Sequence, residues 1–257
     1  LCRAGGSDVK GRFAEIFFEV YEPLPRQGPG DRRSAAKALA LCTVLPKSPR
    51  VLDLGCGAGG QTLHLTALSS GSVVAIDLHA PSIERLRARA AEGGLEDRIE
   101  ALVGDMAEPG QAPESFDLIW SEGAFYNIGI ERALRVCHPL LRSGGYLVFS
   151  DAVWRKENPP AEVSASFAEY PTMGTAADVL ALIDQSDFSL VSHFTLPNEA
   201  WWEDFYAPME RRIDELRARH IGDPGALEVL DALAKEPEMH RKHAAYYAYE
   251  LFVARKE

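Results

Sequence analysis

Five short apolar runs, separated by amphipathic stretches and glycine turns, fill residues 51–150 and leave few folds open to this chain. Val51–Leu54, Val73–Asp77, Ile99–Val103, Phe116–Trp120 and Tyr146–Ser150 have the length and apolar density of buried strands. Thr62–Ser69, Pro81–Glu92 and Ile130–Leu141 read as helices between them. Pro81 suits a first helical position, where its missing N–H has no partner to lose. Gly144-Gly145 turns the chain into the fifth run. Strands alternating with helices predict βαβ units, a parallel sheet and right-handed crossovers.

The flanks follow other patterns. Val9–Tyr21 carries Phe13, Ile16, Phe17 and Val20 at helical spacing, then breaks at Pro23-Leu24-Pro25 and Gly28-Pro29-Gly30. A second helix is expected over Asp31–Leu45, with Asp31 as its N-cap. After Asp151, residues 155–174 form a proline-bearing connection. Thr175 caps a helix to Gln185, and Phe188–Leu196 alternates as a half-buried strand does. Asn198–His243 is a helical insertion striped by Trp202, Phe205, Met209, Ile213 and Leu216, with Pro208 expected to split it. Tyr247–Ala254 is the last strand. The expectation is one domain over 1–257, with N-terminal helices in 1–47, a ligand-binding core in 48–152 and a helical lid in 198–243.

The 257 residues suffice for a substantial core, and no apolar run reaches the roughly 20 residues needed to cross a bilayer. Leu1–Lys10 lacks the apolar stretch of a secretory leader. Cys2, Cys42, Cys56 and Cys137 are scattered without metal-ligand spacing, so reduced thiols in the cytoplasm are expected. His240 and His243 stand three apart without a clear third ligand, so no metal site is expected. A net charge of −11 opposes a broad phosphate-binding surface, so neither nucleic acid nor a membrane is an expected partner.

The chemistry concentrates in Val51-Leu52-Asp53-Leu54-Gly55-Cys56-Gly57-Ala58-Gly59-Gly60. A strand runs into glycines and then a helix, so backbone can approach a ligand and free N–H groups face it. Gly55, Gly57 and Gly60 also satisfy the G-x-G-x-x-G dinucleotide pattern. Asp53 separates the two ligand classes. A carboxylate two residues before the first glycine repels a pyrophosphate but suits the ammonium and sulfonium of S-adenosylmethionine (SAM). Asp77, ending the second strand, can accept both ribose hydroxyls of either ligand. Asp105 and Met106 follow the third strand, where they can bond the adenine amino group and cover the ring. The bland alternative for each acid taken alone is a loop cap or solvated turn, and the ligand reading is preferred for all three.

Asp53-Leu54-Gly55-Cys56-Gly57-Ala58-Gly59 resembles the SAM-binding loop of class I methyltransferases. Ile76-Asp77, Gly104-Asp105-Met106, Phe116-Asp117-Leu118-Ile119 and Leu141-Arg142-Ser143-Gly144-Gly145 follow in that family's order. The resemblance covers about residues 48–152. Within the family, Gln27-Gly28-Pro29-Gly30, Gly59-Gly60-Gln61-Thr62 and Trp120-Ser121-Glu122-Gly123-Ala124-Phe125-Tyr126-Asn127-Ile128-Gly129 are similar to a bacterial small-molecule-type group of unassigned substrate. The resemblance implies an α/β, Rossmann-like, seven-stranded, mostly parallel sheet with helices on both faces and an antiparallel last strand. It implies SAM as cofactor, S-adenosylhomocysteine (SAH) as product, and contacts from Asp53, Gly55, Cys56, Gly57, Gly59, Gln61, Asp77, Leu78, Asp105, Met106 and Ser121.

Methyl transfer needs an aligned nucleophile, exclusion of water and, for some acceptors, a proton sink. Acceptor contacts are therefore expected beyond strands four and five and under the lid. Glu122 is the candidate general base or anchor for a cationic substrate, and Tyr126 a second catalytic candidate. Gln27, Tyr126, Asn127, Trp154, Trp202 and Tyr206 are pocket candidates. The aromatics of residues 201–206 form either an amine cage or a packed lid face. Asn158-Pro159-Pro160 is similar to a signature of nucleic-acid amino methyltransferases. It follows the wrong strand, however, and Ala161 takes the aromatic place. A small-molecule methyltransferase is expected, with a homodimer compatible. The alternatives are a non-catalytic SAM-binding module and an NAD-type oxidoreductase.

Overall fold

A computed structural model describes residues 7–257, with side chains from residue 11 onward. Cys2 and the start of the segment read as lacking a leader lie outside the described residues. The expected alternation is present: β1 (Arg50–Leu54), α3 (Gly60–Leu68), β2 (Ser72–Asp77), α4 (Ala80–Glu92), β3 (Ile99–Val103), β4 (Phe116–Glu122), α5 (Ile130–Leu140) and β5 (Leu141–Trp154). They follow α1 (Ser7–Tyr21) and α2 (Arg32–Leu41), and precede α6 (Ala161–Ser166), α7 (Ala176–Asp184) and β6 (Phe188–Thr195). The lid comprises α8 (Glu199–Trp201), a π-helical turn (Trp202–Tyr206), α9 (Ala207–Arg219) and α10 (Pro224–His243), and β7 (Tyr247–Lys256) closes the chain.

The seven strands form one sheet in the order β3-β2-β1-β4-β5-β7-β6. β1 to β5 pair in parallel, while β7 runs antiparallel between β5 and β6. Strand order reverses between β1 and β4, so their carboxyl ends diverge and open the crevice where open α/β sheets bind ligands. Alternation assigns the faces. Leu52, Leu54, Val74 and Ile76 pack toward α5 and α7. Val51, Val73 and Ala75 pack toward α2, α3 and α4. A separate apolar cluster joins α1 to the lid through Ile16, Val20, Met209, Ile213 and Leu230.

Local chemistry explains the element ends. Asp31 caps α2 by accepting from the Ser34 N–H at 2.8 Å. Thr175 and Asp178 form a reciprocal capping box on α7. α2 stops at Leu41 rather than Leu45, as Cys42 leaves helical geometry.

Two expectations need correction. β4 extends through Ser121 and Glu122, and β5 runs to Trp154, so these residues and Asp151 stand in strands rather than after them. β7 pairs with β5 as far as Trp154 opposite Tyr247, and this ladder prolongs the strand. Pro208 does not split the lid. It lies just after the π-helical turn, within helical backbone that runs unbroken from Glu199 to Arg219, and the chain turns only between Arg219 and Pro224. The residue 201–206 aromatics form the packed face, the stronger of the two readings, rather than an open cage. Trp201 stacks on the His240 ring at 4.2 Å, Trp202 lies under the Arg241 guanidinium, and Tyr206 is 1% exposed. Burial takes the His240 pKa down to about 4, while His243 turns away to Glu162. Cys42, Cys56 and Cys137 are buried free thiols. Among the described residues, no helix is long and apolar enough to cross a membrane.

Candidate active site

The crevice contains a cavity of about 610 Å³. Asp53, Gly55, Cys56, Gly57 and Gln61 line it from the glycine loop and α3. Asp77, Leu78, Asp105 and Met106 line it from the ends of β2 and β3. Gln27, Glu122, Tyr126 and Asn127 close the other side. Thus residues far apart in sequence meet at one sheet edge because β1, β2, β3 and β4 all end there.

Gly57 shows why the loop requires glycine. Its φ is +52°, and a Cβ would collide with Gln27 Oε1. Gly57→Ala is expected to cost about 1–2 kcal/mol, read as a shift of the urea midpoint, through left-handed strain and that clash. Gly59, expected to touch a cofactor, does not line the cavity. Its φ of +81° begins α3, and the bare Cα admits Leu86 of α4.

The three acids have different surroundings. Asp53 is 1% exposed and accepts the Thr62 hydroxyl at 2.6 Å. Burial is the main cause raising its pKa to about 7, with Glu122 and Asp77 adding repulsion against the help of Thr62 and Arg26. Asp77 accepts the N–H groups of Gly57 and His79, each at 2.8 Å, which fixes the carboxylate at the end of β2. Each oxygen retains a lone pair for a ligand. Asp105 is exposed and uses Oδ1 to accept the Ala107 N–H at 2.8 Å, leaving Oδ2 for the cavity.

Glu122 is held by an ion pair. Its Oε2 accepts from Arg26, and its Oε1 accepts the Trp120 indole N–H at 2.8 Å. Arg26 also donates to Gln61 Oε1 at 2.9 Å. Burial raises the Glu122 pKa first, against the lowering by Arg26 and Trp120. A carboxylate with both oxygens already occupied, one by a guanidinium, is poorly placed to take a proton or hold a second cation. The general-base expectation for Glu122 therefore gives way to a role in fixing Arg26.

Four other expected contacts lie elsewhere. Ser121 is fully buried and its hydroxyl donates to the Leu54 carbonyl at 2.9 Å, tying β4 to β1 below the cavity. Trp154 borders a separate surface cleft with Thr175 and Glu250. Trp202 and Tyr206 belong to the lid packing described above.

Sequence reasoning missed Arg26. Nothing in Pro25-Arg26-Gln27 marks a buried guanidinium. Only the path of residues 25–30 across the crevice buries it, with its N–H bonded to Asp204 O and Gly30 N–H to Ala200 O of the lid. Gln27 Oε1 accepts the Ala58 N–H at 3.3 Å, so this strap also reaches the glycine loop. Arg26 Nε and Gln61 Nε2 are buried donors without a partner among the described residues.

Residues 51–145 match the family described as Methyltransferase domain. The chain is 28% identical to a sarcosine/dimethylglycine N-methyltransferase of Halorhodospira halochloris over 66% of its own length and 60% of the relative. It is 33% identical to a dimethylglycine N-methyltransferase of Parasynechococcus marenigrum over 46% of its length and 43% of that relative. The chain thus spans about half the length of the curated relatives it matches. A SAM-dependent methyltransferase from Geobacter sulfurreducens, solved with SAH, superposes with a TM-score of 0.80 at 20% identity, covering 95% of this chain and 98% of that one. Residues 51–145 thus match a methyltransferase domain, and the chain has the fold of solved SAM-dependent methyltransferases.

Proposed function

We propose that the chain transfers a methyl group from SAM to a small-molecule acceptor. The observation that carries this reading is the convergence of Asp53, Asp77 and Asp105 with a bare-backbone loop around one cavity. SAM would supply a methyl carbon already activated by its sulfonium.

The residues present fit that ligand. The partnerless donors Arg26 Nε and Gln61 Nε2 suit an amino-acid carboxylate. The Asp53 carboxylate would favour the neighbouring cationic groups, Asp77 the ribose hydroxyls, and Asp105 with Met106 the adenine. The strap and lid would exclude water, and Tyr126 and Asn127 would border the acceptor. No observation favours an NAD-type oxidoreductase or a module that binds SAM without transfer. The reading extends to a cytoplasmic enzyme that uses neither nucleic acid nor a membrane, with a homodimer as the assembly to test by light scattering.

Calorimetry with SAH and with NAD tests the assignment. SAH is expected to bind in the micromolar range and NAD to give no heat; the reverse pattern would refute it. The Asp53 pKa gives a second check. The free protein holds this carboxyl protonated below about pH 7, whereas a cationic ligand prefers the carboxylate. SAM binding therefore releases a proton below that value, and affinity rises with pH until Asp53 is ionised. Affinity at pH 6 is expected to be about fivefold weaker than at pH 7, and Asp53→Asn should flatten this difference.

A further inference from the structure

The helix that leads into the strap reaches the end of β2 through a single ring. α1 packs on the lid through Ile16, Val20 and Tyr21, a cluster that does not include Phe18. The Phe18 ring instead stacks on His79, with centroids 4.2 Å apart and planes 6° from parallel. Glu22, just past the end of α1, lies 3.8 Å from His79 Nε2.

His79 is also fixed from the core side. Its Nδ1 and the Ser82 hydroxyl, in the first turn of α4, are hydrogen-bonded at 3.0 Å, and Ser82 is buried. Its backbone N–H is the group that donates to Asp77 Oδ1 at 2.8 Å. Leu78, between the two, lines the cofactor cavity and is 68% exposed, so it presents an uncovered apolar surface to a ligand there. One residue therefore joins the carboxylate proposed to hold the ribose to the helix that carries the strap.

The strap continues from this contact. Gln27 Nε2 donates to the Tyr21 carbonyl at 3.4 Å, while its Oε1 accepts the Ala58 N–H of the glycine loop. Pro25, Gln27 and Pro29 line the same cavity as Asp77 and Leu78. We propose that His79 is a positioning residue of the cofactor site, whose ring docks α1, and with it the strap, over the bound nucleoside. It touches no reacting atom.

This rests on the SAM reading above and adds to it a residue that acts through others. The backbone N–H that aims Asp77 survives any substitution except proline, so the contribution of the ring can be removed alone. A stacked pair of rings contributes a factor of about two to ten to an equilibrium. If the stack served the fold alone, its loss would lower the melting temperature and leave ligand affinity where it was. If it holds the cover closed, its loss weakens the ligand, and it does so once, whichever ring is removed.

A double-mutant cycle on the full chain, read by calorimetry with SAH well below the melting temperature, separates these outcomes. His79→Ala and Phe18→Ala are each expected to weaken SAH about fivefold. The double variant is expected to show about the same fivefold loss rather than the product of the two, because both changes remove one contact. His79→Phe keeps a stacking ring and is expected to stay within twofold of the wild type. Unchanged affinity in both single variants, or effects that multiply in the double variant, overturns the proposal. Should His79→Ala fail to fold, Phe18→Ala and His79→Phe decide, since the first must weaken SAH and the second must not. Failure of the wild-type chain to bind SAH would refute the SAM reading itself. Wild-type binding with unchanged variants refutes only the role of His79.

Discussion

Asp77→Ala is expected to weaken SAH binding by about 100-fold or more in calorimetry, with little change in the far-ultraviolet dichroism of the free protein. The magnitude follows from two charge-assisted hydrogen bonds to ribose hydroxyls, each contributing about 1.5–3 kcal/mol. The carboxylate is already oriented by the Gly57 and His79 N–H groups, so no reorganisation offsets its contribution. Its removal also releases the N–H of Gly57 and loosens the loop. Asp77→Asn is a milder change: it keeps one accepting oxygen for these N–H groups but turns an NH2 toward the other and lacks the charge, so an intermediate loss is expected. Affinity unchanged in Asp77→Ala would remove the ribose assignment and with it the orientation of the ligand in the crevice.

Arg26→Met is expected to destabilise the fold by about 3–5 kcal/mol, because it leaves the Glu122 carboxylate buried without a counter-charge. For a chain of this size that lowers the melting temperature by of order 10 °C. Both side chains of the pair are nearly inaccessible, at 7% and 5% exposure, so solvent screening does little to soften the loss. The double variant Arg26→Met/Glu122→Leu is expected to recover most of the stability, since removing both charges removes the desolvation cost as well. SAH affinity should stay low in the double variant, because the Arg26 Nε donor is gone. A double variant no more stable than Arg26→Met would show that the strap is held by its backbone bonds to the lid instead. Glu122→Gln is expected to behave as a stability variant first. Any loss of turnover should follow the displacement of Arg26 rather than the loss of a base.

The cofactor half of the site was largely legible in the sequence and the acceptor half was not. Asp53, Asp77 and Asp105 each end or follow a strand, and the strand ends can be read from apolar runs and glycines. Strand ends in a parallel sheet share one edge, so local pattern suffices to bring these acids together. The lid offers no such rule. The residue 201–206 aromatics have the composition of a cage, yet packing against His240 and Tyr247 consumes them.

The sequence by itself determined the alternating α/β plan, the glycine loop and the carboxylates at the strand ends, because each depends on neighbours within a few residues of chain. Tertiary structure decided that Glu122 is paired with Arg26, that β5 continues past Asp151, and that the residue 201–206 aromatics pack on one another and on His240. Those outcomes depend on which surfaces meet across tens or hundreds of residues. Burial and partnership set the chemistry of a side chain there, and no local pattern encodes them.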